Sequence, residues 1–181
     1  MSKPKLVVLD RDGVINLDSD EYIKSADEWI PLAGSIEAIA KLKEAGFLVA
    51  IATNQSGLGR SYFSEDSLSE MHQKLRDLLA KHTDRDIDLI AYCPHKPDEG
   101  CECRKPKPGL LDQIAEMLEV DLKDSWFVGD SLKDLQAGES RSMQSVLVRT
   151  GKGAATEQKG GLPPASLVFD NLAEAVEQLV G

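Results

Sequence analysis

The sequence predicts an α/β fold, a parallel sheet covered by helices on both faces. Two observations carry this. Short apolar runs alternate along the chain with segments of helical periodicity, the order that builds a parallel sheet. The runs are three to six residues long and end at glycine or polar residues, as buried strands do. The 181 residues suffice for one domain, 1–181, with a full hydrophobic core.

Each element has its own signal. Leu6, Val7, Val8 and Leu9 form the first strand, which stops at Asp10. A helix near 34–45 places Ile36, Ile39 and Ala40 at i, i+3 and i+4, and Gly46 ends it. A strand over 47–52 follows. Ser64 can cap a helix running to about residue 81, with Leu68, Met71, Leu75, Leu78 and Leu79 on one stripe. His72 is expected off that stripe and His82 at the helix end, both on the surface. After a strand at 87–92, a helix near 108–119 buries Leu111, Ile114, Ala115 and Leu118. Strand 125–128, a short helix near 132–139, strand 145–149 and a strand at 166–168 come next. The last helix, 171–180, carries Leu172, Val176, Leu179 and Val180. Trp29 and Trp126 are expected in the core, and 150–165 reads as a surface loop. No insertion is long enough for a large cap; only 16–33, 55–64 and 93–103 can border a site.

Four strand ends or loops carry chemistry-bearing residues. Residues 6–16 read LVVLDRDGVIN, two carboxylates one residue apart beyond a strand, with Gly13 allowing a sharp turn. Ligands of open α/β sheets bind at such carboxyl ends, and this pair suits a hard cation and a phosphoryl group. The strand of LVAIATNQSG stops at Thr53, where Thr53 and Asn54 offer a hydroxyl, an amide and backbone N–H groups to a phosphate. RKPKPG at 104–109 places Lys105 to neutralise phosphate oxygens and Arg104 to grip one bidentately. SWFVGDSLKD at 125–134 closes a strand at Gly129 and Asp130, with Asp134 four residues on. Singly, Thr53 could cap a turn, Arg104 and Lys105 could be a solvated pair, and Asp130 could be an N-cap. Four such segments in this order favour a joint site.

All three cysteines fall in CPHKPDEGCEC, residues 93–103. Cys93, His95, Cys101 and Cys103 form a complete tetrahedral set for structural Zn²⁺ with no position left for substrate. Free thiols in a loop, or one disulfide, are the alternatives. Zinc would pin a loop with little apolar content and fix Arg104 and Lys105 relative to Asp10.

The ordered series DRDGV, Thr53, Lys105 and Gly129–Asp130 with Asp134 resembles the haloacid dehalogenase superfamily of phosphohydrolases over nearly the whole chain. The resemblance implies a three-layer Rossmann-like fold with no large cap domain and a zinc-stabilised loop. It implies that Asp10 is the nucleophile and forms an aspartyl-phosphate, and that Asp12 is first general acid and then general base. Asp10, the Asp12 carbonyl and Asp130 would hold Mg²⁺, with Asp134 orienting the metal shell; Thr53 and Lys105 would complete the catalytic set. Asn54, Gln55, Ser56, Arg104, Asp18 and Tyr22 are the expected substrate contacts. The pattern C-x-H…C-x-C-R-K-P-K-P-G is similar to a narrow branch holding heptose-bisphosphate and histidinol-phosphate phosphatases. YIKSADEW at 22–29, TNQSGLGR at 53–60 and VLVRTGKG at 146–153 favour the heptose side, implying removal of a 7-phosphate in making activated heptose for lipopolysaccharide. The five-residue gap between His95 and Cys101 favours the histidinol side. Ser131 stands where some heptose enzymes carry a lysine; Lys133 is expected to point elsewhere. A noncatalytic zinc-stabilised binding module is the reading from another class, and the intact five-residue set argues against it.

Composition narrows the partners. Apolar content of 41% with 29% charged residues is ordinary for a soluble globule. A net charge of −10 argues against nucleic acid and anionic membrane surfaces. A small sugar phosphate therefore needs locally concentrated cations, for which Arg60, Arg104, Lys105 and Lys107 are candidates. No apolar stretch approaches the roughly 20 residues of a membrane span, and the N-terminal run is too short for a signal peptide. A cytoplasmic monomer is expected.

Overall fold

The computed structural model describes residues 5–181. In chain order it contains β1 (Leu6–Leu9), α1 (Ser35–Glu44), β2 (Leu48–Asn54), α2 (Ser56–Gly59), α3 (Glu65–Leu79) and β3 (Leu89–Cys93). Then follow α4 (Gly109–Leu118), β4 (Trp126–Gly129), α5 (Leu132–Glu139), β5 (Gln144–Val148), α6 (Gly153–Lys159), β6 (Leu167–Phe169) and α7 (Leu172–Val180). The six strands form one sheet in the order β3-β2-β1-β4-β5-β6. Every pairing is parallel.

This order follows from the chain winding outward from β1 to β3, then returning to the centre and winding the other way from β4. β1 and β4 are therefore neighbours, with Val8 paired to Phe127 and Leu9 to Val128. The crevice beyond their carboxyl ends is the topological switch point, where ligands of open α/β sheets bind. Asp10 and Asp130, one residue past each strand, both sit there.

Side chains of β1 alternate between two apolar layers, as the strand period requires. Val7 and Leu9 join Trp29 and residues of α1, α3 and α7 in one core; Leu6 and Val8 join Leu110, Leu111 and Ile114 of α4 in the other. Trp29 is fully buried and Trp126 largely so. Lys74 of α3 donates to the carbonyls of Ala26 (2.7 Å) and Trp29 (2.6 Å), fastening the irregular 16–33 segment without a cap domain.

Within the fold, the structure differs from the sequence reading at 150–165 and at His72. The expected loop at 150–165 contains α6, whose Thr156 Oγ1 donates to the Asp130 carbonyl and docks the helix beside the crevice. Four glycines and a diluted apolar pattern hide it. His72 is buried, not surface, because it packs against the β1–α1 turn; His82 is exposed as expected. Strand and helix ends otherwise move by a residue or two. No helix among the described residues is long and apolar enough to cross a membrane.

Candidate active site

The carboxyl end of β1 turns tightly because the Arg11 carbonyl accepts the amides of Val14 and Ile15. Gly13 makes that turn at φ 87°, and a Cβ there would lie 2.0 Å from Asp130 Oδ2. A Cβ on Gly151 would approach the same oxygen to 2.4 Å. Asp130 thus lies in a slot that only glycines can wall, and the Lys152 amide donates to its Oδ2 at 2.9 Å.

Lys105 reaches the centre from the loop after β3. Asn54 clamps its backbone, accepting from the Lys105 amide at 3.0 Å and donating to its carbonyl at 3.2 Å. The ammonium uses all three donors: on Asp10 Oδ1 at 2.8 Å, Asp134 Oδ1 at 2.7 Å and the Ala52 carbonyl at 2.8 Å. Burial alone would push its pKa down; Asp10 and Asp134 overcome this and hold it above the ordinary lysine range. The same arrangement leaves the carboxylates short of positive charge. Burial, then Asp134, raises Asp10 well above the usual carboxylate range despite Lys105. Burial and Asp134 push Asp130 up to about 6.

Three carboxylates facing one cation want a second. Oxygens of Asp10, Asp130 and Asp134 lie within 4.8 Å of one another, a hard-oxygen donor set of the kind that suits Mg²⁺. Asp134 also closes a capping box with Ser131 at the start of α5, which fixes its rotamer.

Asp12 has a different environment. Burial would raise its pKa, but Arg11, Asn16 and Gln55 more than offset this and hold it below the usual range. Gln55 links it to Thr53, donating to Asp12 Oδ2 at 3.1 Å and Thr53 Oγ1 at 2.9 Å.

A cleft of about 270 Å³ opens over these groups. Asp10, Asp12, Asp18, Thr53, Asn54, Lys105, Asp130 and Asp134 line it, with Ser131, Lys133 and Lys152. Of the expected substrate contacts, Asp18 and Asn54 line the cleft; Gln55, Ser56, Tyr22 and Arg104 do not. Gln55 instead braces Asp12, and Tyr22 packs edge-on against Tyr62 at 5.1 Å. Arg104 lines an adjoining cavity of about 300 Å³ with Lys105, Lys107 and Lys133. Lys133 borders both cavities, contrary to the expectation that it points elsewhere, because the first turn of α5 faces the switch point. Sequence reasoning also missed Lys152, which follows β5 and sits 3.7 Å from Asp18 across the cleft; the GKG run at 151–153 was its one signal.

Cys93, at the end of β3, meets the loop that leads to Lys105. Cys93 Sγ lies 2.8 Å from Cys103 Sγ and 3.6 Å from Cys101 Sγ, and His95 Nδ1 lies 3.2 Å from Cys103 Sγ. Four soft and borderline donors converge within 4.8 Å, a set that fits one tetrahedral ion.

Fold and site together define a hydrolase of the haloacid dehalogenase class, and a family model described as HAD-hydrolase-like matches residues 102–175. The chain is 56% identical over 175 residues to the D-glycero-beta-D-manno-heptose-1,7-bisphosphate 7-phosphatase of Pseudomonas aeruginosa, covering 97% of each chain. It is 48% identical over 172 residues to the enzyme of that name from Neisseria meningitidis, covering 94% of this chain and 91% of the relative. The crystal structure of the Bordetella bronchiseptica D,D-heptose 1,7-bisphosphate phosphatase, complexed with magnesium and phosphate, superposes with TM-score 0.94 at 49% identity over 97% of this chain and 98% of that one. The chain belongs to the heptose-1,7-bisphosphate 7-phosphatase family.

Proposed function

We propose that this chain is a Mg²⁺-dependent phosphatase that removes the 7-phosphate from D-glycero-β-D-manno-heptose 1,7-bisphosphate. The observation that carries the chemistry is the single ammonium of Lys105 shared between Asp10 and Asp134, beside Asp130, at the switch point. The relatives' names supply the sugar and its anomer. The histidinol-phosphate and noncatalytic readings are not favoured.

Lys105 fixes Asp10 through Oδ1, leaving Oδ2 free of hydrogen bonds among the described residues. Asp10 attacks phosphorus as the P–O bond to the sugar breaks, giving an aspartyl-phosphate. The negative charge of the bound phosphate opposes the influence of Arg11 and favours the protonated form of Asp12. Asp12 then gives that proton to the departing sugar oxygen and takes one back from the water that attacks the aspartyl-phosphate and regenerates Asp10. Thr53 and Asn54 supply donors to the phosphoryl oxygens and Lys105 supplies charge beside them. Asp10, Asp130 and the Asp12 carbonyl would hold Mg²⁺, which when bound neutralises charge on the phosphoryl group. Covalent and electrostatic catalysis must combine, because phosphomonoester hydrolysis needs accelerations up to about 10²¹ and one general acid supplies only about 10²–10⁴. Cys93, His95, Cys101 and Cys103 would hold a structural Zn²⁺ that sets the loop carrying Arg104 and Lys105.

The distal phosphate is proposed to occupy the adjoining cavity. Arg104, Lys107 and Lys133 bring positive charge there, and one Arg104 guanidinium nitrogen is buried without a partner among the described residues. Phosphate release from a panel of heptose 1,7-bisphosphate, histidinol phosphate and fructose 1,6-bisphosphate tests the reading. The expected result is a large preference in kcat/KM for the heptose substrate; a preference for histidinol phosphate would overturn it.

A further inference from the structure

We infer that Arg11, held by His72, is a positioning residue that aims one oxygen of Asp12, Oδ2, at the leaving group. The inference rests on the acid–base role proposed for Asp12.

Arg11 is fully buried between the two aspartates of the motif. Its Nε donates to Asp12 Oδ1 at 2.9 Å. Nη2 lies 2.8 Å from the same oxygen but is not aligned to donate, so it adds charge at short range while Nε supplies direction. Asn16 Nδ2 donates to Oδ1 as well, at 2.9 Å. Oδ1 is therefore saturated with donors. Oδ2 accepts only from Gln55 among the described residues, at 3.1 Å. A proton carried by this carboxyl group is accommodated on Oδ2, the oxygen with room for it.

The far side of the guanidinium fixes the aim. Nη1 lies 3.2 Å from His72 Nε2 and 3.6 Å from Met71 Sδ, both on α3. A guanidinium only donates, so Nε2 must accept, and the imidazole is the neutral tautomer with its proton on Nδ1. α3 thus reaches the leaving-group oxygen through a relay from His72 to Arg11 to Asp12. A buried ion pair is seldom the most stable filling of such a space, since packed apolar side chains often serve as well or better. What an apolar filling cannot do is choose between the two oxygens of a carboxylate.

The bonds balance without any new reactant. As Asp10 bonds to phosphorus and the P–O bond to the sugar breaks, the departing oxygen takes the proton from Asp12 Oδ2. Water then attacks the aspartyl-phosphate and returns a proton to Oδ2.

The test is R11M, assayed as the metal-loaded enzyme on heptose 1,7-bisphosphate and on 4-nitrophenyl phosphate, whose leaving group needs no proton. kcat/KM reports the steps through departure of the leaving group. We expect about a hundredfold loss on the sugar phosphate and a loss about tenfold smaller on the aryl phosphate. R11K keeps the charge without the fork and should show the same split, which covers failure of R11M to fold. H72F should show a weaker version, and H72Q, which keeps an acceptor, should recover most of it. Equal losses on both substrates, or none, overturn the inference. D12N separates the two levels: if D12N itself shows no split, the acid role fails; if D12N splits and R11M and R11K do not, the brace fails.

Discussion

Lys105 Nζ stands 2.8 Å from Asp10 Oδ1 and 2.7 Å from Asp134 Oδ1, so one ammonium ties the end of β1 to the first turn of α5. A lysine in that place is a point charge with three donors and no acceptor. It restrains Asp10 without using both of its oxygens, which an arginine fork would tend to do.

D10N should abolish turnover while leaving the melting temperature undiminished. The amide oxygen still accepts from Lys105, and Asp134 still pairs with it. An amide does not attack phosphorus, and removing one of three crowded carboxylates relieves repulsion. Substantial phosphate release from a clean D10N preparation would remove the covalent mechanism.

One tightly held zinc per chain is expected, resistant to dialysis that removes Mg²⁺. Structural zinc contributes roughly 10–16 kcal/mol in small peptides that have no other core. Here two apolar cores exist without it. C101S should therefore cut activity at least about tenfold while far-ultraviolet circular dichroism changes little. Elemental analysis finding no zinc in protein purified without chelator would sink the idea.

R104A should raise KM for the bisphosphate far more than for a monophosphate of the same sugar. A charge-assisted contact is worth about 1.5–3 kcal/mol, or roughly ten- to a hundredfold. K133A should do the same more weakly, because an ammonium is a less directional phosphate ligand. Equal effects on both substrates would place Arg104 with the reacting phosphate instead.

His72 should make the protein acid-sensitive. Burial, then the Arg11 charge, depress its pKa to about 3; Asp12 opposes this and Arg76 adds to it. The unfolded chain binds the proton near the ordinary histidine value of about 6.5. The contribution is therefore complete above that pH and is lost as pH falls toward the folded value, by roughly 1.4 kcal/mol per unit across that window. Chemical denaturation of wild type and H72Q between those limits checks this: the wild-type curve should fall more steeply, and parallel curves would count against it.

Much of this was legible in the sequence because the fold places function at strand ends. Asp10, Thr53 and Asp130 each follow an apolar run, so the residues and their convergence can be read together. The Cys/His cluster is legible for another reason, since its donors lie within eleven consecutive residues, 93–103. Arg11 was not legible: a charged residue between two aspartates reads as solvated, and only the docking of α3 decides otherwise. His72 could have been found. It lies four residues after Leu68 and three before Leu75, on the same helical face. Lys133 and Lys152 needed the direction of the first turn of α5 and of the turn after β5, which apolar spacing does not encode.

The adjacency of β1 and β4 also constrains how the protein comes into being. Asp10 is translated early and Asp130 late, yet they are neighbours only once the second half of the sheet has added to the first. Such pairing between distant parts of a chain is slow to form and raises the contact order. A nascent polypeptide that has released β1, β2, β3 and the loop through Cys103 holds its nucleophile and its Cys/His cluster but no complete donor set for Mg²⁺. Hydrolytic competence therefore arrives in a single late event, when β4 inserts beside β1, and not by degrees during synthesis.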